Sequence, residues 1–106
     1  MQELSPQSFP AAITKGPIII DFWAAWCGPC RALAPTFEKL SHEFSGKLAF
    51  AKFNIEEGRD LAVENGVLGI PCLILFKDGK EVDRIVGQLP EPAMRQKIET
   101  ALKKVR

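Results

Sequence analysis

The chain has 106 residues, 46% hydrophobic and 25% charged, with a formal net charge of +1. That length suits one domain whose core needs no covalent staples. The near-neutral balance leaves no basic footprint for nucleic acid, and the longest apolar runs, Ile18–Ile20 and Leu73–Phe76, are far too short to cross a bilayer.

The first residues, Met1-Gln2-Glu3-Leu4-Ser5-Pro6, contain neither a basic n-region nor an apolar h-region. A soluble, cytoplasmic protein is the expectation. A reducing cytoplasm disfavours structural disulfides, and the odd count of three cysteines does not suit a closed disulfide scaffold. Any cysteine pair therefore reads first as catalytic or metal-binding.

No repeat, low-complexity tract or linker divides residues 1–106, so a single domain is expected. A poorly marked short strand comes first. Ser8 to Thr14 reads as a short helix stopped by Lys15-Gly16-Pro17. Ile18 to Ala24 is apolar apart from Asp21, the pattern of a strand covered on both faces. Beyond Trp26-Cys27-Gly28-Pro29-Cys30, the residues Leu33, Phe37, Leu40 and Phe44 recur at helical spacing, forming one core-facing stripe. Pro35 falls within this helix and should kink it, and Gly46 should end it.

Leu48 to Ile55 reads as a second buried strand, Glu56 to Asn65 as a helix ending at Gly66, and Cys72 to Phe76 as a third strand. Asp78-Gly79 is a hairpin signal that pairs Glu81–Val86 antiparallel with it, and the mixed charges of that segment suit a sheet edge. Pro92 to Val105 closes the chain as an amphipathic helix with Met94, Ile98, Leu102 and Val105 on one side. Lys103, Lys104 and Arg106 favour its C-terminal end. Alternating strands and helices followed by a hairpin predict an α/β fold with a mixed sheet and helices on both faces.

The chemistry centres on Cys27-Gly28-Pro29-Cys30, between a strand and a helix. A thiolate is the reactive form of cysteine, and the free N–H groups and positive dipole end of a helix N-terminus stabilise it. Cys27 should feel that field most directly. Cys30, one turn later, can attack a mixed disulfide formed on Cys27. Pro29 fits a first helical turn, where its missing N–H is not needed, and stiffens the ring the two sulfurs close. The competing reading is half of a zinc site. It fails on ligand count: beyond the pair, only Cys72 and His42 are available. His42 would lie about 18 Å along the helix from Cys30 at 1.5 Å per residue.

The stretch Asp21-Phe22-Trp23-Ala24-Ala25-Trp26-Cys27-Gly28-Pro29-Cys30 closely resembles the active-site segment of the thioredoxin family. The resemblance continues through Ala34-Pro35, Ala51-Lys52-Phe53-Asn54-Ile55, Gly69-Ile70-Pro71, Phe76-Lys77-Asp78-Gly79 and Val86-Gly87, in order and at the right spacing. It implies a five-stranded mixed sheet in order 1-3-2-4-5, with the last two strands antiparallel to the rest, flanked by four helices. It also implies a protein-disulfide reductase and electron carrier with no cofactor or metal of its own. A thioredoxin reductase, NADPH- or ferredoxin-linked, would recharge it, and disulfide-containing proteins would be its clients. A monomer is expected, with no nucleic-acid or membrane partner.

The resemblance assigns roles residue by residue. Cys27 is the nucleophile and exposed attacking thiolate, and Cys30 the inner, resolving thiol. Asp21, a carboxylate in an apolar strand, is the general base toward Cys30, with desolvation raising its pKa and Lys52 as its partner. Gly28 and Pro29 shape the site. Pro71 matches the family's cis-proline, and the Ile70 backbone faces the cysteines to pair with a client strand. Trp26 lies beside Cys27, either on the surface or partly buried, and Gly66, Gly69 and Gly87 form a flat contact surface.

One position departs from the family: Cys72 stands where many thioredoxins carry Thr. It reads as a small buried side chain, as a third redox thiol near the pair, or as a ligand of a metal or iron–sulfur site shared between chains. For the whole chain, an oxidase or isomerase of the same fold and a non-catalytic binding subunit are the alternatives.

Overall fold

A computed structural model describes residues 1–105. The chain runs β1 (Gln2–Leu4), α1 (Phe9–Ala12), β2 (Ile18–Trp23), α2 (Gly28–Glu43), β3 (Ala49–Asn54), a 3-10 turn (Ile55–Glu57), α3 (Arg59–Glu64), β4 (Cys72–Lys77), β5 (Lys80–Val86) and α4 (Glu91–Lys103). The five strands form one sheet in the order β1-β3-β2-β4-β5. Four helices and this order agree with the resemblance; strand direction corrects it. β1, β3 and β2 are mutually parallel, and β4 runs antiparallel to β2. β5 is antiparallel to β4 and so runs with the first three strands, leaving β4 alone reversed. The cause is the tight turn at Asp78-Gly79, whose positive φ angles of 54° and 79° fold β5 straight back on β4.

Side-chain alternation along the strands builds two core layers. Ile19, Leu73, Leu75 and Ile85 meet Leu33, Phe37 and Leu40 of α2 and Met94, Ile98 and Ala101 of α4. On the other face Ile18, Ile20, Phe22, Phe53, Cys72, Ile74 and Phe76 meet Phe9 and Ala12 of α1, with Leu61 and Val67 packed at the margin. Thirteen-residue α4 stops at Lys103, and Leu102 and Val105 complete its apolar side as partly buried residues. Arg106, included in the charge argument for this end, lies outside the described residues.

Two local expectations change. Pro35 lies inside α2, as expected, but the helix stops at Glu43, three residues before Gly46. The helix expected over Glu56–Asn65 is split. Asn54 Oδ1 accepts the Glu56 N–H at 2.9 Å and caps a 3-10 turn, after which Gly58 (φ −160°, ψ 67°) breaks the chain direction and begins α3.

Candidate active site

Beyond Trp23 the chain turns through Ala24 to Trp26, with the Cys27 N–H donating to the Ala24 carbonyl at 3.1 Å. Arg31 Nη1 braces the turn from α2 by donating to the Ala25 carbonyl at 2.8 Å. Cys27 is the N-cap of α2, with extended backbone angles (φ −86°, ψ 111°). Its Sγ accepts the Cys30 N–H at 3.2 Å, so a sulfur takes the place of the usual capping oxygen. Gly28 and Pro29 fill the first turn, where proline has no bond to lose. Cys27 and Cys30 are joined as a disulfide with 5.2 Å between their Cα atoms. Such a cap favours negative charge on Cys27 once the bond is reduced.

The expected contrast between an exposed Cys27 and an inner Cys30 is not found: they are 5% and 3% exposed. Both pack with Ala24 against Trp23, Ile55 and Ile70. Exposure belongs instead to Trp26, at 65%. Its ring borders a groove of about 370 Å³ lined also by Ile55, Ala62, Val63 and Val67, with Glu56 and Arg59 as its charged members.

The loop before β4 forms the facing wall. The Ile70–Pro71 peptide bond is cis. The Ile70 carbonyl oxygen lies 3.8 Å from Cys27 Sγ. The Pro71 carbonyl accepts the Gly87 N–H at 2.8 Å, which ties the loop to the end of β5. Gly69 backs onto Val86, while Gly66 and Gly87 hold positive φ angles of 66° and 93°. Of these three, Gly66 and Gly87 need glycine for backbone conformation and Gly69 does not. Leu68 is fully exposed in this loop. Sequence reasoning missed it because the short Val67-Leu68 pair between Gly66 and Gly69 has no strand or helix period to mark it.

Asp21 is 1% exposed and neither carboxylate oxygen has a hydrogen-bond partner. Alternation turns it, like Ile19, toward the layer that holds α2, where Cys30 is buried. Burial raises its pKa to about 7; Lys52 works against that rise and Glu3 adds to it. Lys52 is the direct cross-strand neighbour of Asp21 in β3, yet no ion pair joins them among the described residues. Its ammonium sits 4.5 Å from the Trp23 ring centroid, and Trp23 Nε1 in turn donates to Glu3 Oε1 at 2.9 Å. The partnership with Lys52 is therefore through-space rather than a salt bridge, because the indole face competes for the cation.

Cys72 does not join the pair. It lies on the opposite sheet face from Asp21, paired across strands with Phe22, is 1% exposed, and belongs to the core cluster of the α1 layer, with Arg84 as its polar neighbour. Burial pushes its thiol pKa up. These surroundings are those of a small core side chain rather than a third redox thiol. No cluster of three or more His, Cys, Asp or Glu able to hold a metal exists among the described residues, and His42 is exposed on α2.

The thioredoxin family profile matches residues 1–100. The chain belongs to the thioredoxin family. It is 41% identical to the thioredoxin of Bacillus subtilis over 90 residues, covering 85% of this chain and 86% of that protein. It is 40% identical to thioredoxin 1 of Nostoc sp. over 86 residues, or 81% and 80% of the two chains. Against the thioredoxin of Staphylococcus saprophyticus the identity is 38% over 100 residues, 94% and 96% of the two chains. With its Cys27–Cys30 pair intact, this member of the family is a dithiol–disulfide oxidoreductase, a protein-disulfide reductase.

Proposed function

We propose that the protein reduces client disulfides through distinct roles for Cys27, Cys30 and Asp21. The reduced Cys27 thiolate attacks one client sulfur, forming a mixed disulfide and releasing the other as a thiolate. Asp21 then takes the Cys30 proton, and the Cys30 thiolate attacks Cys27 Sγ. The second client sulfur leaves as a thiolate, and both client thiolates end protonated. Two electrons pass to the client, and the protein is left with its Cys27–Cys30 disulfide. The observation that carries this reading is the Cys27 sulfur at the α2 N-cap, bonded to the Cys30 N–H at 3.2 Å and 3.8 Å from the Ile70 carbonyl.

In this reading the Ile70 backbone and the Trp26 ring receive the client strand, with Gly69, Gly87 and Pro71 allowing its close approach. A thioredoxin reductase, linked to NADPH or ferredoxin, returns two electrons to the disulfide. The protein acts as a monomeric electron carrier in a reducing compartment such as the cytoplasm, where its pair stays largely reduced. The test is insulin reduction with each type of reductase supplied in turn. Turnover with one of them and none by Cys27→Ser supports the reading. Full activity of Cys27→Ser overturns it.

A further inference from the structure

The segment that faces the cysteines is held at two ends. One tie is the Gly87 N–H to the Pro71 carbonyl. At the other end the Gly66 N–H donates to the Val63 carbonyl and the Val67 N–H to the Ala62 carbonyl, both at 2.9 Å, and Arg84 of β5, across from Ile74 on the α3 side of the sheet, adds a side-chain clamp to that backbone tie. Its guanidinium is oriented by Glu81, with Nε donating to Oε2 at 2.7 Å and Nη2 to Oε1 at 2.6 Å. The remaining N–H groups reach Asn65 and Gly66, just past the end of α3: Nη2 donates to the Asn65 carbonyl at 2.7 Å and Nη1 to the Gly66 carbonyl at 3.1 Å. Carbonyls at a helix C-terminus lack intrahelical partners and sit at the negative dipole end, so a cation suits them. Between these ties, Leu68, Gly69 and Ile70 make no backbone–backbone hydrogen bond among the described residues. Their position is therefore set from the ends.

We infer that Arg84 is a positioning residue for client binding, fixing the segment that presents Leu68, Gly69 and Ile70 across from Cys27. The inference rests on the reductase reading above. It makes client capture, rather than thiol chemistry, the step that Arg84 controls. A small disulfide needs only the sulfurs; a protein disulfide also needs the wall.

The test compares the pre-reduced wild type, Arg84→Met, Arg84→Lys and Glu81→Gln, each oxidised by insulin or by the small disulfide 5,5′-dithiobis(2-nitrobenzoate). Arg84→Met should lower the insulin rate constant about tenfold, the scale of one lost charge-assisted hydrogen bond. Its small-disulfide rate constant and the Cys27–Cys30 redox potential should stay unchanged. Arg84→Lys, which keeps the charge but not the fork, should be intermediate, and Glu81→Gln should show a smaller insulin-specific loss. Equal loss with both oxidants, or no insulin-specific loss, overturns the inference. Should Arg84→Met fail to fold, the other two variants decide by the same criterion. A wild type inert toward insulin but reactive with the small disulfide sinks the reductase reading, and the clamp with it.

Discussion

Asp21 is a carboxyl whose folded pKa, about 7, stands well above its ordinary 3.8 because burial disfavours the charge. Between those two values the folded state holds a proton that the unfolded chain has released, so stability falls as pH rises from about 4 to 7 and levels off above. Asp21→Asn removes this dependence. It should stabilise the protein at pH 8 by up to roughly 4 kcal/mol and have little effect at pH 4, as read from urea unfolding at the two values. The same variant should slow release of the mixed disulfide by Cys30 without slowing attack by Cys27. Cys30→Ser should trap clients as stable mixed disulfides on Cys27; a variant that captures nothing from a lysate would sink the assigned division of labour. For Cys72, burial on the far sheet face predicts resistance to iodoacetamide in the folded, oxidised protein and rapid labelling in urea. Peptide mapping distinguishes the two, and fast native labelling would contradict the core assignment.

At the scale of elements, Gly58 sets the break between the 3-10 turn and α3. Its extended φ of −160° is open to any residue, so conformation is not what demands glycine. Space is: a Cβ there would meet Phe53 Cζ at 2.5 Å and Pro6 Cγ at 3.1 Å. Gly58→Ala should therefore destabilise by about 1–3 kcal/mol, the usual cost of overpacking, measured by thermal or urea unfolding. The helical pattern of Glu56–Asn65 was legible in the sequence, but the need for glycine at the break was not, because it depends on how the Phe53 ring and Pro6 pack against it. The Asp78-Gly79 turn shows the reverse case. Its chemistry lies within two adjacent residues, and the hairpin and edge position of β5 follow directly.

Across the whole molecule, one layer of the core is an aromatic cluster assembled from distant segments. Phe9 packs at 6.0 Å from Phe22, 5.7 Å from Phe53 and 5.7 Å from Phe76, measured between ring centroids. Phe53, which also packs 5.7 Å from Phe22, is fully buried in the cluster. Phe53→Ala should cost about 3–5 kcal/mol in urea unfolding. The second layer is closed by α2 and α4, which Arg95 and Lys39 also join at the surface through Glu43 and Glu91. Those pairs are largely solvated, so Arg95→Ala should shift stability only slightly, and less at high salt.

The sequence by itself determined the strand and helix types, the hairpin, the helix stripes and the position of the cysteine pair. These depend on periodicity and turn chemistry within a few neighbours. Its likeness to a family further implied the sheet order and the residues around the sulfurs. Tertiary structure decided what depends on residues far apart in the chain. The direction of β5 relative to β2 follows from stacking two reversals across β4. Cys27 is nearly as buried as Cys30 because Ile55 and Ile70 close over both. Lys52 turns to an indole rather than to Asp21, and Cys72 faces away from the pair because strand alternation places it on the other layer. Exposure and pairing are properties of the packed sheet, and no local pattern encodes them; alternation separates the two faces but does not say which layer covers each.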